Sequence, residues 1–348
     1  MADASGSAAK FNTPSGVAIN TVSNLLLVAD TGNHRIRTVT ATGSVGTLAG
    51  GGAAGMADGA GAQAAFNQPA AVAVDSAGNA YVADSLNHTI RKITPSGEVS
   101  TLAGAPGVSG TLNGAGADAR FNTPSGIAVD AVNYVYVADT GNHAIRLITP
   151  ARAVSTLAGG PGVAGADDGA VASARFNAPT GLLVDANGAV FVADTGNSLI
   201  REIDSGAVST LAGSPDSAHA PAGASHQDGP GAAAWFDHPT GIALNADGSL
   251  LYIADRGNAT IRTIDETDTV RTLVLTAGSP ITPPASGTNN NNNDGTGGGS
   301  GTGGGGGGSS SGNSNSSNDG GGGGGGGGAP GLYFLAALAA LATLRRFQ

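Results

Sequence analysis

Along roughly the first 280 residues, apolar and polar positions alternate in runs of five or six, each bounded by Gly, Asn, Asp, Pro or Ser. A period of two in runs rich in β-branched residues predicts half-buried strands, and the punctuation predicts hairpins between them. From Gly126 the pattern reads "GIAVD", "YVYVAD", "AIRLIT" and "VSTLAG", separated by "AVN", "TGNH" and "PARA". Four antiparallel strands in a meander are predicted. No stretch in this part of the chain carries the 3.6-residue period of a long amphipathic helix.

The meander recurs. Its opening Phe lies at Phe11, Phe66, Phe121, Phe176 and Phe236, in steps of 55, 55, 55 and 60 residues. A decapeptide recurs with it: "VADTGNHRIR" from Val28, "VADSLNHTIR" from Val82, "VADTGNHAIR" from Val137, "VADTGNSLIR" from Val192 and "IADRGNATIR" from Ile253. A lone meander leaves both faces wet, so such units must stack, and four strands per unit arranged radially make a β-propeller. The expected fold is all-β: a β-propeller of five visible four-stranded blades, either a closed five-bladed ring or a six-bladed one truncated at its N-terminus. A disordered linker and a short C-terminal hydrophobic helix are expected to follow it. A linear solenoid is the second architecture. The domain boundaries read as 1–280 for the propeller, 281–330 for the linker and 331–348 for the hydrophobic end.

The frame "FNTPSGIAVDAVNYVYVADTGNHAIRLITPARAVSTLAGG", from Phe121, resembles the NHL repeat family of propellers, in a longer form whose units end in "TLAG". The resemblance covers about four-fifths of the chain. It implies the propeller fold, for which six blades is the common number. It leaves function open, because similar propellers serve as binding platforms, signalling ectodomains, lyases or lactonases.

Five copies of one polar turn spread around a ring do not converge on a substrate, so the decapeptide is expected to be architectural. Its residues are the pairs Asp30 and Arg37, Asp84 and Arg91, Asp139 and Arg146, Asp194 and Arg201, and Asp255 and Arg262. The Asp and the turn Asn are expected to bond nearby backbone amides, the Asn tolerating left-handed geometry, and the Arg to reach the Asp or the next blade. The inner strands end in Asn20, Asp75, Asp130, Asp185 and Asn245, again recurring by blade and offering nothing singular to a substrate.

The connections from each "TLAG" glycine to the next Phe hold 15, 16, 16 and 22 residues, making the inter-blade rim the expected binding face. The last of them, "SPDSAHAPAGASHQDGPGAAAWFDHP", concentrates His219, His226, Asp228, Trp235, Asp237 and His238. His219, His226, Asp228 and His238 are candidate zinc ligands, and an open coordination position would make such a site catalytic. Their spacing matches no compact ligand motif. An Asp–Gly or Asn–Gly also recurs per connection, at Asp58, Asn113, Asp168 and Asp228, which suits either calcium or ordinary turn chemistry. No cofactor is otherwise expected.

A net charge of −10, with Lys10 and Lys92 the only lysines, argues against a nucleic-acid partner. The absence of cysteine excludes disulfides, thiol nucleophiles and Cys-ligated metal. After Pro280 a Gly-, Ser- and Asn-rich stretch reads as a flexible tether. "LYFLAALAALATLRRFQ" then ends the chain, its 13 apolar residues followed by Arg345 and Arg346. A 13-residue helix of about 20 Å falls short of a roughly 30 Å hydrocarbon core. The combination resembles bacterial C-terminal sorting signals read by exosortase- or rhombosortase-like proteases, with "GAPG" where Pro–Glu–Pro is usual; a short tail anchor is the alternative. No signal peptide precedes the first blade, and "MADASGSAAKFN" aligns with "MADGAGAQAAFN" from Met56. An upstream extension with a signal peptide and a further blade is therefore expected.

Together these features predict an exported, surface-tethered, non-catalytic scaffold. Its ligand is expected to be a protein, a peptide or a carbohydrate, with membrane contact through the C-terminal segment. A metal-assisted lyase or lactonase is the alternative.

Overall fold

The computed structural model describes residues 3–215 and 226–274; the linker and hydrophobic end expected after residue 280 lie outside them. Five antiparallel blades follow one another in chain order. Blade three is Gly126–Val129, Val135–Asp139, Ala144–Ile148 and Ala153–Ala158, each strand paired with the next in sequence. Equivalent meanders begin at Gly16, Pro69, Leu182 and Pro239. Inner strands of successive blades pack on each other from blade one to blade five, which makes a five-bladed β-propeller.

Two features of the blades were not legible as strand pattern. Blades two to five carry an extra two-residue strand on their outer edge, Gly59–Ala60, Gly114–Ala115, Gly169–Ala170 and Gly229–Pro230, each drawn from the preceding inter-blade connection. Two residues cannot display a period, so sequence alone assigns them to the loop. The Leu of each "TLAG" is the additional residue of a β-bulge: Ile145 pairs with Ala158 and Arg146 with Thr156, leaving Leu157 between them. The glycine that follows is obligatory. Gly104 has φ +94°, and a Cβ there would lie 2.6 Å from the His88 carbonyl and 3.2 Å from the Phe121 ring.

The core consists of four separate apolar clusters, one at each junction between consecutive blades. At the junction of blades two and three, Tyr81, Ala83, Ile90 and Ala103 of one sheet meet Phe121, Ile127, Val137 and Ile148 of the next. The outgoing face of each blade supplies small Ala residues, and the incoming face supplies the Phe that fills the space above them.

Among the described residues no such cluster joins blade five to blade one. On the outgoing face of blade five, Ala254 and Ile261 are partly exposed, whereas their counterparts Ala193 and Ile200 in blade four are fully buried. Val274 is 79% exposed where Ala49, Ala103, Ala158 and Ala212 are buried. On the incoming face of blade one, Phe11, Leu26 and Val39 are partly exposed, while Phe66, Phe121, Phe176 and Phe236 are 0–1% exposed. On the same two faces Tyr252 is 2% and Val28 0% exposed, so among the described residues this seam is packed more loosely at Phe11, Ala254, Ile261 and Val274 than the other junctions are.

Candidate functional site

The repeated polar residues form one network per blade. Asp139 ends the second strand fully buried; its Oδ1 accepts the Asn122 amide at 2.7 Å, and its Oδ2 accepts Asn142 Nδ2 at 2.8 Å and Arg146 Nη1 at 2.7 Å. Arg146, also fully buried, donates in addition to the Arg120 and Leu112 carbonyls and to Asn113 Oδ1, and its guanidinium lies 5.2 Å from the centre of the Phe121 ring. The other pairs repeat this arrangement: Asp30 with Arg37, Asp84 with Arg91, Asp194 with Arg201 and Asp255 with Arg262, at 2.8–3.0 Å. Each Arg covers its own blade's Phe at 5.0–5.2 Å. Sequence reasoning placed the Asp bonds locally, but the amide they capture belongs to the residue after Phe, 17 or 18 positions earlier. The network therefore pins the incoming connection onto the blade body.

Burial drives the Asp84 and Asp139 carboxyls above their ordinary range, and that of Asp194 to about 6, against the Asn amide, the Asn side chain and the Arg that hold the charge. Such a pair fixes geometry more than it adds stability, since desolvation opposes the Coulombic gain.

The hairpin itself differs from expectation. The left-handed residue is the one after Asn: His34, His88, His143, Ser198 and Ala259 have φ of 52–57°. The Asn supplies its side chain to the Asp instead. The imidazole also has a partner in the next blade: Nδ1 of His34, His88 and His143 accepts the backbone amides of Gln68, Thr123 and Ala178 at 3.0–3.1 Å. Chemistry at a strictly repeated position thus crosses a junction, which spacing along the chain cannot reveal.

The inter-blade Asp and Asn residues face cations of the chain itself. Asp58 accepts Arg91 together with the Thr101 amide and hydroxyl, and Asp168 accepts Arg201 and Thr210 in the same way. Against partial burial, the Thr101 amide and Arg91 hold the Asp58 carboxyl below its ordinary range. Asp228, one of the four candidate zinc ligands, accepts Arg262 at 2.7 Å and the Thr272 amide at 3.0 Å. His238 directs Nδ1 to its neighbour Asp237, His226 is exposed, and His219 lies outside the described residues. Among the described residues no three His, Asp or Glu side chains gather as a metal centre. The inner-strand acids turn away from the channel to close hairpins: Asp75 accepts the Ala77 and Asn79 amides and the Tyr81 hydroxyl.

A central cavity of about 510 Å³ lies among the inner strands. Its walls come from the beginnings of all five inner strands, with Val17, Ile127, Leu182 and Ile242 among the apolar side chains and Ser15, Ser125, Thr180 and Thr240 as hydroxyls. It extends to Ala254 and Ile261 of blade five. Antiparallel order puts the start of each inner strand on the same rim as the inter-blade connections and the Asp–Asn hairpins. No Asp, Glu, His, Lys or Arg lines this cavity. Sequence reasoning passed over these strands because it sought singular polar residues, and the cavity is apolar.

Comparison with known proteins agrees with the architecture. The NHL repeat family model matches residues 11–38, 66–93 and 121–146, within the first three of the five units. NHL repeat-containing protein 2 of Bos taurus is 31% identical over 280 residues, which is 72% of this chain and 38% of that protein. The chain therefore spans well under half the length of this relative. Among solved structures, an auxiliary nutrient binding protein from Bacteroides ovatus ATCC 8483 superposes with a TM-score of 0.53 at 17% identity, over 76% of this chain and 61% of that one. A streptogramin B lyase superposes with a TM-score of 0.50 at 12% identity, over 77% and 85%. At such identities the two structures establish a shared fold alone.

Proposed function

We propose that this propeller, built on NHL repeats, is a non-catalytic binding scaffold that receives an apolar element of a protein or peptide partner in its central cavity. The carrying observation is a division of labour. The repeated Asp, Asn and Arg residues are engaged in networks within each blade, while the cavity offers apolar walls and a partial ring of Ser and Thr hydroxyls. Binding sites of this size are commonly apolar with a few orienting polar groups. General acid–base catalysis needs a titratable group within hydrogen-bonding reach of the substrate, and Tyr252 is the sole titratable residue of the cavity wall. A carbohydrate is disfavoured by the same wall, which holds one aromatic residue and no amide or carboxylate side chain.

Exposed presentation at a bacterial surface is part of the proposal. The Gly-rich stretch would act as the tether, and the apolar end with Arg345 and Arg346 as the membrane-facing or sorting segment.

Selection of a displayed peptide library on the immobilised full chain tests the binding site. Ala243 lines the cavity, so Ala243→Trp places bulk inside it. Enriched peptides bearing an apolar or aromatic residue should lose at least about tenfold in affinity for the variant, roughly 1.4 kcal/mol. Peptides that bind both proteins equally, or failure to enrich any, would overturn the assignment.

A further inference from the structure

Three of the hydroxyls around the cavity have already committed their protons. In blade three, Ser125 Oγ is hydrogen-bonded to Thr140 Oγ1 of the Asp–Asn turn, and Thr140 Oγ1 lies 2.7 Å from the Pro179 carbonyl oxygen of blade four. A carbonyl can only accept, so the single Thr140 hydroxyl proton goes to Pro179, and Ser125 must donate to Thr140. Blade four repeats the relay: Thr180 meets Thr195 at 2.6 Å, and Thr195 donates to the Pro239 carbonyl at 2.6 Å. In blade one, Ser15 meets Thr31 at 2.6 Å, and Thr31 donates to the Pro69 carbonyl at 2.8 Å. Two of the hydroxyls also have a carbonyl of the next blade in reach, Ala70 at 2.6 Å from Ser15 and Thr240 at 3.2 Å from Thr180, which competes for the same proton. The amides of Ser15, Ser125 and Thr180 are engaged as well, by the Ala29, Ala138 and Ala193 carbonyls.

Ser15, Ser125 and Thr180 all line the cavity, and each hydroxyl oxygen keeps lone pairs while its proton points elsewhere. Blades one, three and four therefore present hydrogen-bond acceptors. The relay stops at the other two blades, where Ala70 takes the place of the hydroxyl in blade two and Arg256 that of the turn Thr in blade five. We infer that the cavity receives a tryptophan side chain of a peptide or protein partner, its indole N–H donating to this set of hydroxyl oxygens. The inference rests on the reading of the cavity as the binding site and names what enters it.

The choice among donors follows from what the wall lacks. An ammonium or guanidinium group would be desolvated with no carboxylate to meet it, since no Asp or Glu lines the cavity. An amide side chain or a phenol brings acceptor lone pairs of its own, for which these three hydroxyls have no proton. An indole carries one donor and no acceptor on a large apolar body, which matches apolar walls set with acceptor oxygens. A tryptophan within a chain is favoured over the free amino acid, whose ammonium and carboxylate would find no charged side chain in the wall.

The test compares two probes on the full chain by ligand-observed NMR titration: N-acetyltryptophan amide, and N-acetyl-3-benzothienylalanine amide, in which sulfur replaces the indole N–H. The tryptophan probe should bind about threefold to tenfold more tightly, the ratio for one neutral hydrogen bond. Combining Ser15→Ala, Ser125→Ala and Thr180→Val should bring it down to the affinity of the sulfur probe, whose own affinity should change by less than about twofold. That unchanged affinity also shows that the variant has kept its fold. Equal binding of the two probes to the natural chain overturns the inference; if both then weaken on Ala243→Trp, the cavity stands as the binding site and only its preference for a donor falls. A tryptophan preference that survives the triple substitution overturns it too, as does loss of both probes together in that variant. Failure of either probe to bind at millimolar concentration also overturns it, and leaves the cavity itself to be judged by the peptide selection.

Discussion

The junction between blades four and five and the seam between blades five and one are built from the same repeat, yet one is sealed and the other more loosely packed among the described residues. At the sealed junction, Ala193, Ile200 and Ala212 lie under Phe236, and all four are at most 1% exposed. At the seam, the corresponding Ala254 and Ile261 are partly exposed and Val274 is exposed, and Phe11 is partly exposed. The same repeat therefore gives a sealed junction or a looser one, the seam keeping Tyr252 and Val28 buried while Val274 is exposed. Hydrophobic stabilisation in this molecule belongs to pairs of blades and not to any single blade, as expected for an architecture whose energy resides in nearest-neighbour interfaces.

The largest effect should come from the Phe that defines each junction. Phe236→Ala removes a fully buried ring and the surface on which the Arg262 guanidinium rests, at a cost of about 3–5 kcal/mol. Phe11→Ala removes the same ring from the seam and should cost less than about half as much. Chemical denaturation of both variants makes the comparison. Equal losses would mean that the seam is as well packed as the junctions.

A finer comparison uses glycine. Gly181 begins the inner strand of blade four, and a Cβ there would lie 2.1 Å from the Thr240 carbonyl oxygen of blade five. Gly241 holds the same place in blade five, where a Cβ meets nothing nearer than Ala254 Cβ at 3.3 Å. Gly181→Ala must push two backbones apart and should cost about 1–3 kcal/mol. Gly241→Ala should stay within about 0.5 kcal/mol, as surface substitutions do. Thermal melts of the two variants decide it: a Gly241→Ala loss as large as that of Gly181→Ala would show the seam to be as closely packed as the junction.

Much of this was legible in the sequence because the repeat amplifies it. Five copies of Phe, Asp, Asn and Arg in register specified the blade, its four strands and the structural role of the decapeptide. The partners of those residues were not legible. Asp139 reaches back to the Asn122 amide, and Asn113 reaches across a connection to Arg146, contacts that depend on how the connection wraps the blade edge. The cavity was missed for a related reason. Its residues are the ordinary apolar positions of inner strands, and only their convergence around an axis makes them a site. Of the candidate zinc ligands, Asp228 accepts Arg262 and His238 directs Nδ1 to Asp237, contacts that nearness in sequence does not reveal.

The smallest expected effect concerns the imidazoles that cross junctions. His34, His88 and His143 link blades one to two, two to three and three to four; Ser198 and Ala259 leave the fourth junction and the seam without this bond. Only a neutral ring can accept at Nδ1, because protonation turns both ring nitrogens into donors. Burial holds the His88 pKa below its ordinary 6.5. The unfolded chain then binds a proton at a higher pH than the folded one, so this contribution is fully present above about pH 6.5 and is lost as pH falls through the folded value. Its size should be that of one neutral hydrogen bond, roughly 0.5–1.5 kcal/mol. Melting curves between pH 7.5 and 5.5 should decline more steeply for the natural chain than for His88→Ser, which imports the residue already used at Ser198. Parallel curves would mean that the Thr123 amide gains nothing from the ring, and that the sealed junctions differ from the seam by packing alone.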